Sequence, residues 1–274
     1  MIAANDYHGI EANRDWMSVS QYKGWMECPA KQAAILRGDW IEPEKDAFTL
    51  GRYVDMALLE PERLKAEMEA NPATYYTKSG SPRSFVSNGD AMVARAKADP
   101  VFMASLRGQA QQVITFKLGR VGMKAMLDVA DPERGVLTDL KTARDLDNLT
   151  WSESAQAKVP FYETFNYWLQ LAVYREAFKA HYGKLPKFVF IAAISKEAPP
   201  VAKVYHFDNR HRFKAELDRF KANLPRILAM KSGKVEPTRC ERCGYCRETF
   251  RVTEPIRAES FAPVSITMSE FEAG

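Results

Sequence analysis

Three cysteines at strict three-residue intervals, Cys240, Cys243 and Cys246, stand late in the chain, and the fourth, Cys28, stands alone near its start. Four cysteines in 274 residues, placed so unevenly, point to metal ligation rather than to a disulfide framework. Three thiolates within reach of one centre need one more sulfur, and Cys28 is the only candidate. Zinc bound by four thiolates and a four-iron-four-sulfur cluster both satisfy that count. Either one joins residue 28 to residues 240–246, closing a loop that spans most of the chain and pinning its terminal segments beside whatever lies between.

What lies between reads as an α/β core. A 46% hydrophobic chain of this length can bury one large core or two small ones. Ser18 and Gln21 form a capping-box pair ahead of a helix that ends near Cys28 and Pro29. A second helix from about Thr49 puts Leu50, Val54, Ala57 and Leu58 on one face and carries Gly51 and Asp55. Residues 71–88 read as an exposed loop rich in Pro, Ser and Gly, and Asp90 is expected to cap the helix that follows. The period then changes to two. Strands are expected from Gln112 and from Val121 to Val129, and another from Val136 to Thr142 after a turn over Asp131–Gly135. An irregular stretch to Pro160 precedes a long helix from Phe161 to Tyr182. Strands over 187–195 and 201–207 and a helix to Lys231 complete a mixed sheet flanked by helices, with an N-terminal helical region and a C-terminal cysteine segment.

Asp128 and Asp139 fall in adjacent strands that are otherwise apolar, where an unpartnered charge would be costly. A hairpin between them lets both carboxylates reach one hard cation, Mg²⁺ or Mn²⁺. Strand alternation puts Lys141 on the same face as Asp139, where its ammonium can orient a water or stabilise transition-state charge. Lys124 shares a strand face with Asp128 by even spacing and is a candidate phosphate contact.

Here the chain resembles the PD-(D/E)xK nuclease superfamily, and within it the RecB-like and RecE-like (exonuclease VIII-like) exonucleases of bacteria and phages. Gly51-Arg-Tyr-Val-Asp55 is similar to that family's Gly-x-x-x-His helical motif, with Asp55 where a histidine ligand is usual. Gln170-Leu-Ala-Val-Tyr174 is similar to its Gln-x-x-x-Tyr motif, which faces the active site and DNA. The resemblance implies a restriction-endonuclease-like fold in a single nuclease domain over residues 1–250. Its helical part is 18–106, its core 110–231 and its cysteine clasp Cys28 with 240–246, followed by a tail over 251–274. It implies a cation held by Asp55, Asp128, Asp139 and the Leu140 carbonyl, with Lys141, Gln170 and Tyr174 completing the catalytic set. The split cysteines are similar to those of the iron-sulfur nucleases of the AddB and CRISPR-associated RecB-like groups, and the close run followed elsewhere by Cys-Pro is similar to bacterial ferredoxins. A four-iron-four-sulfur cluster is therefore favoured, with zinc as the alternative.

The implied activity is Mg²⁺- or Mn²⁺-dependent exonucleolytic hydrolysis of linear DNA in phage or bacterial recombination, with a recombination protein as a possible partner. The competing reading is an inactive nuclease-fold module that binds DNA or protein. Charge does not decide between them, because 39 basic against 35 acidic side chains leave a formal net charge of only +4. The apolar runs are too short to span a bilayer and the N-terminus has no signal-peptide pattern, so the expected location is the cytoplasm of a bacterial cell.

Overall fold

The protein is represented by a computed structural model that describes residues 2–3, 6–43, 46–152, 155–252 and 258. The expected tail over 251–274 lies mostly outside the described residues. The helical region comprises α1 (Ile10–Asp15), α2 (Val19–Glu27), α3 (Pro29–Arg37), α4 (Asp46–Leu59), α5 (Pro61–Ala70), α6 (Pro72–Tyr75), α7 (Ser84–Lys97) and α8 (Pro100–Ser105). Strands β1 (Gln109–Leu118), β2 (Val121–Asp131) and β3 (Val136–Ala143) follow, then a small hairpin of β4 (Thr150–Ser152) and β5 (Ala157–Val159). After these come α9 (Phe161–Thr164), α10 (Tyr167–Tyr182), β6 (Phe188–Ser195), β7 (Ala202–His206), α11 (Arg210–Lys231) and α12 (Gly244–Glu248). No helix among the described residues is long and apolar enough to cross a membrane.

The five-stranded sheet runs β1-β2-β3-β6-β7, with β3 and β6 parallel and the other neighbours antiparallel. Alternation along the central strands sends their side chains into two separate cores. Leu137, Ile191 and Ala193 pack beneath α2, α3, α10 and α11, while Leu140, Ala192 and Ile194 face α4, α7 and α8. Asp139 and Lys141 therefore lie on the α10 side, and Leu140 on the α4 side. Placing Asp139 in the middle of a two-sided core is what removes it from water.

Several boundaries differ from those read in the sequence. The stretch 71–88 is not all loop: α6 opens on Pro72, and α7 starts at Ser84. Asp90 then sits inside α7, where it accepts a hydrogen bond of 2.6 Å from the Tyr53 hydroxyl instead of capping the helix. The long helix expected from Phe161 is broken by Asn166, whose φ of 52° no continuous helix accommodates. Half of the capping box forms. The Ser18 hydroxyl accepts from Gln21 N, but the Gln21 amide turns to Asn13 and Trp16.

Helices α4 and α7 pack closely because Gly89 has no side chain. A Cβ there would lie 2.4 Å from Cδ1 of Tyr53, whose ring is tethered through its bond to Asp90. Gly89→Ala is expected to destabilise the protein by about 1–2 kcal/mol, overpacking outweighing the helix-propensity gain. A lowered thermal midpoint with unchanged secondary structure is the measurement that checks this.

Candidate active site and cysteine centre

Strands β2 and β3 pair over only a short stretch, Val129↔Thr138 to Asp131↔Val136, and then diverge. At the fork the Asp128 carboxylate replaces a strand carbonyl: Leu140 N donates to Asp128 Oδ2 at 2.8 Å. Because the N–H and C=O of one strand residue point to the same side, the Leu140 carbonyl also faces the fork rather than the β6 ladder. The neighbouring strand is distorted at the same level. Gln111, across β1 from Asp128, adopts a left-handed φ of 49° and sends its amide to Asp55 Oδ2 at 2.8 Å. Non-glycine strain of this kind persists only where the surroundings enforce it.

Each acid is held by one oriented donor. Asp139 is 1% exposed and accepts at Oδ1 from the Gln170 amide at 2.8 Å, while its buried Oδ2 pairs with the Lys141 ammonium at 2.7 Å. The same ammonium lies 3.1 Å from the Leu140 carbonyl and 3.8 Å from Asp128 Oδ2. It occupies the focus of the hard oxygen donors, as a bound cation would. Asp55 reaches the fork because α4 lies close on β3. A Cβ on Gly51, one turn before Asp55, would come within 3.2 Å of Thr142 Oγ1.

The electrostatics agree with a site built around positive charge. Burial raises Asp55 to about 6, Asp139 and Glu60 adding to it while Lys141 opposes. Burial also pushes Asp128 well above the usual carboxylate range, again against the pull of Lys141. Lys141 is subject to burial, which would discharge it, but Asp139 and Asp128 outweigh that and hold it firmly protonated. Asp128, Asp139 and the Leu140 carbonyl thus offer hard oxygens of the kind a divalent cation takes, around a point that an ammonium fills, with Asp55 close enough to feel Asp139 and Lys141.

Tyr174 lies partly buried beside Gln170. Burial drives its hydroxyl far above the ordinary range, with Tyr7, Asp139 and Asp128 adding to the effect, so it remains a neutral donor. Lys124 does not match its expected role. It is 1% exposed, and its ammonium is consumed by the Tyr7 carbonyl at 2.5 Å and Asn13 Oδ1 at 2.7 Å. The bridge of Met17 to Met123 lays the N-terminal segment over this part of β2 and shuts the lysine in. Gln111, Tyr167 and Lys23 were not expected at the site. Lys23 Nζ lies 5.3 Å from the Tyr167 ring and Lys141 Nζ 5.5 Å from the same ring. Nothing in the local spacing of these three residues marks them, because each arrives from a different element.

The structure also brings the four cysteines together. Their sulfurs all lie within 4.8 Å of one another, Cys28 to Cys246 at 3.6 Å and Cys240 to Cys246 at 3.9 Å. Cys28 serves as the C-cap of α2 and the N-cap of α3, and Ala30 N bonds the Thr238 carbonyl at 3.0 Å. The backbone N–H of Arg242 helps to lower the Cys240 thiol to about 6, whereas burial raises Cys28 and pushes Cys243 up to about 12. Thiols so divided ionise together only when a metal takes the charge.

The raised Asp55 fixes a pH dependence. Its folded value of about 6 exceeds the ordinary 3.8, so the metal-free fold binds the extra proton and loses stability as pH rises through that window. A divalent ion displaces the proton below pH 6 and relieves repulsion above it. Mn²⁺ is therefore expected to bind about fourfold more tightly at pH 7.5 than at pH 5.5 through this group, with a larger gain in thermal midpoint. Calorimetry on the wild type and on Asp55→Asn, in which the difference shrinks, checks this.

Comparison with known proteins places the fold. The model of the PDDEXK-like domain of unknown function (DUF3799) matches residues 18–249. The crystal structure of a protein from Eubacterium rectale described as "Putative exonuclease" is 29% identical and superposes with a TM-score of 0.86, covering 94% of this chain and 96% of that one. A phage related exonuclease from Haemophilus somnus 129PT is 12% identical over 69% of this chain and 90% of its own, and its TM-score of 0.28 carries no argument. A search of curated proteins finds no match. The match runs from the Ser18 cap through the forked strands and past Cys246, and on that span the chain belongs to the PDDEXK-like DUF3799 family.

Proposed function

We propose that the protein is a metal-dependent DNA exonuclease that hydrolyses phosphodiester bonds of linear DNA, and that residues 1–250 act as one nuclease domain. The observation that carries this reading is the convergence of Asp128, Asp139 and the Leu140 carbonyl on the Lys141 ammonium, with Asp55 held nearby by Gln111. The Eubacterium rectale relative, named an exonuclease in its description, supports the same reading. A role in phage or bacterial recombination, with a partner protein acting on the product strand, follows from the family resemblance.

Asp55, Asp128, Asp139 and the Leu140 carbonyl would hold Mg²⁺ or Mn²⁺, which supplies charge neutralisation on the phosphate and lowers the pKa of a water. Gln111, Leu140 N and Gln170 each lock one carboxylate and leave its remaining lone pairs free for that ion. Before the ion binds, Asp139 and Asp128 hold Lys141 protonated. Its ammonium moves from the carboxylates to the attacked phosphate, where it stabilises the charge that develops on the non-bridging oxygens. Tyr174, a neutral hydroxyl beside Gln170, can donate to the same oxygens or to the water.

End-labelled linear DNA incubated with Mg²⁺ or Mn²⁺ tests the reading. The wild type is expected to release nucleotides, and Asp139→Ala and Lys141→Ala each to lose at least about a hundredfold in rate. Absence of metal-dependent degradation, or equal degradation by both variants, would sink the nuclease reading.

For the cysteine centre we adopt the four-iron-four-sulfur cluster, on the close cysteine run and the Cys28-Pro29 pair. One observation favours zinc: tetrahedral Zn–S bonds put thiolates about 3.8 Å apart, near the spacings found here, whereas a cubane needs them spread wider. Anaerobically purified protein is expected to be brown and to contain iron and sulfide, all lost in Cys243→Ala. Colourless protein with stoichiometric zinc decides for the second reading.

A further inference from the structure

Helix α2 ends on Cys28 and yet also reaches the carboxylate fork. Just upstream of the cysteine, Lys23 projects toward α10, where its ammonium donates to the Phe165 carbonyl at 2.7 Å and lies 3.5 Å from Gln170 Oε1. Gln170 is the residue that orients Asp139, so Lys23 stands next to the catalytic set without touching a carboxylate. Among the described residues it forms no ion pair. Lys141 is neutralised by Asp139, but Lys23 carries its charge unbalanced beside the same Tyr167 ring.

An ammonium half-withdrawn from water, with a second ammonium nearby and no counter-ion, calls for an anion. Burial and repulsion from Lys141 already lower Lys23 to about 8, with Asp139 opposing. The surroundings indicate which anion. Phe165, whose carbonyl anchors the lysine, is 53% exposed, and its ring lies 5.9 Å from that of Tyr167. A cation beside an exposed aromatic ring suits a nucleotide, with phosphate on the first and base or sugar on the second.

The position of Lys23 depends on both ends of its helix. The Ser18 hydroxyl caps the start, and Tyr22 is pinned to α11 by packing on Phe220 at 4.4 Å and by the Asn223 amide on its hydroxyl at 2.9 Å. The far end closes on Cys28, whose N–H bonds the Gly24 carbonyl at 3.0 Å and whose sulfur belongs to the four-cysteine centre. Lys23 lies at the middle of α2, so loss of the centre would free one of the two ends that hold it.

We propose that Lys23 binds a backbone phosphate of the DNA strand next to the scissile bond, and that the cysteine centre, by holding α2, keeps it there. This rests on the nuclease reading above. The cysteine centre thereby supports substrate binding as well as the fold.

The experiment measures DNA affinity as a function of salt by fluorescence anisotropy, using a labelled duplex oligonucleotide with Ca²⁺ and the full-length, metal-loaded protein. Cleavage with Mg²⁺ is followed in parallel. Lys23→Met is expected to weaken binding about tenfold and to reduce the salt slope by about one counter-ion, while Lys23→Arg keeps the slope. Thermal midpoint and Mn²⁺ affinity stay unchanged in both, as they would not if Lys23 were only structural. Cys243→Ser, which still contains Lys23, is expected to lose the same counter-ion, and the double variant to bind no more weakly than Cys243→Ser alone. An unchanged slope in Lys23→Met overturns the phosphate contact, and losses that multiply in the double variant overturn its dependence on the cysteine centre. A wild type that binds DNA and never cuts it sinks the nuclease reading alone. A wild type that neither binds nor cuts sinks both.

Discussion

The interaction on which the rest of the structure depends is the meeting of one ammonium with buried carboxylates at the β2–β3 fork. Asp139 is almost wholly buried on a central strand, and an uncompensated charge there would cost several kcal/mol. Lys141 supplies the compensation, and it does so from a position that a divalent ion could take over. The sheet accommodates this by failing to pair. β2 and β3 separate at Asp128, its side chain takes the place of a backbone acceptor, and Gln111 on β1 is forced into a left-handed backbone at the same level. An unbroken ladder would have satisfied more backbone hydrogen bonds but would have left no opening for the Asp128 carboxylate beside Leu140.

Around that fork, three elements distant in sequence deliver the remaining groups. α4 brings Asp55, its approach permitted by Gly51 against Thr142. α10 brings Gln170 and Tyr174 on one face, separated by a helical turn. α2 brings Lys23, and the same helix ends in the cysteine centre that ties the start of the described core to residues beyond α11. Scaffold and site are in this sense one object, because the segment carrying one of the four cysteines also carries the helix that stands beside the carboxylate fork.

The parts legible in sequence were those with short-range periodicity or fixed spacing. Alternation gave the strands and the common face of Asp139 and Lys141. The even spacing that also paired Lys124 with Asp128 misled, because the N-terminal segment crosses β2 at Met123 and encloses Lys124 with Tyr7 and Asn13. Tyr75, within the stretch that read as an exposed loop, is 3% exposed and packs against Tyr53 and Phe85. Burial by a distant segment leaves no local signature, so a surface inferred from composition fails wherever another element comes to cover it.

The sequence by itself determined the α/β order of elements, the acids and lysine set into apolar strands, and the four sulfurs that have to meet. The first two follow from local rules, since side-chain direction repeats along a strand or helix, and the third from the spacing and small number of the cysteines. Tertiary structure alone decided that the β-sheet would fork at Asp128, that Gln111 would hold Asp55 and that Lys23 would stand beside Gln170. Each of these rests on a contact between elements far apart in the chain, where packing and the exclusion of water, rather than spacing, set the distance and the charge.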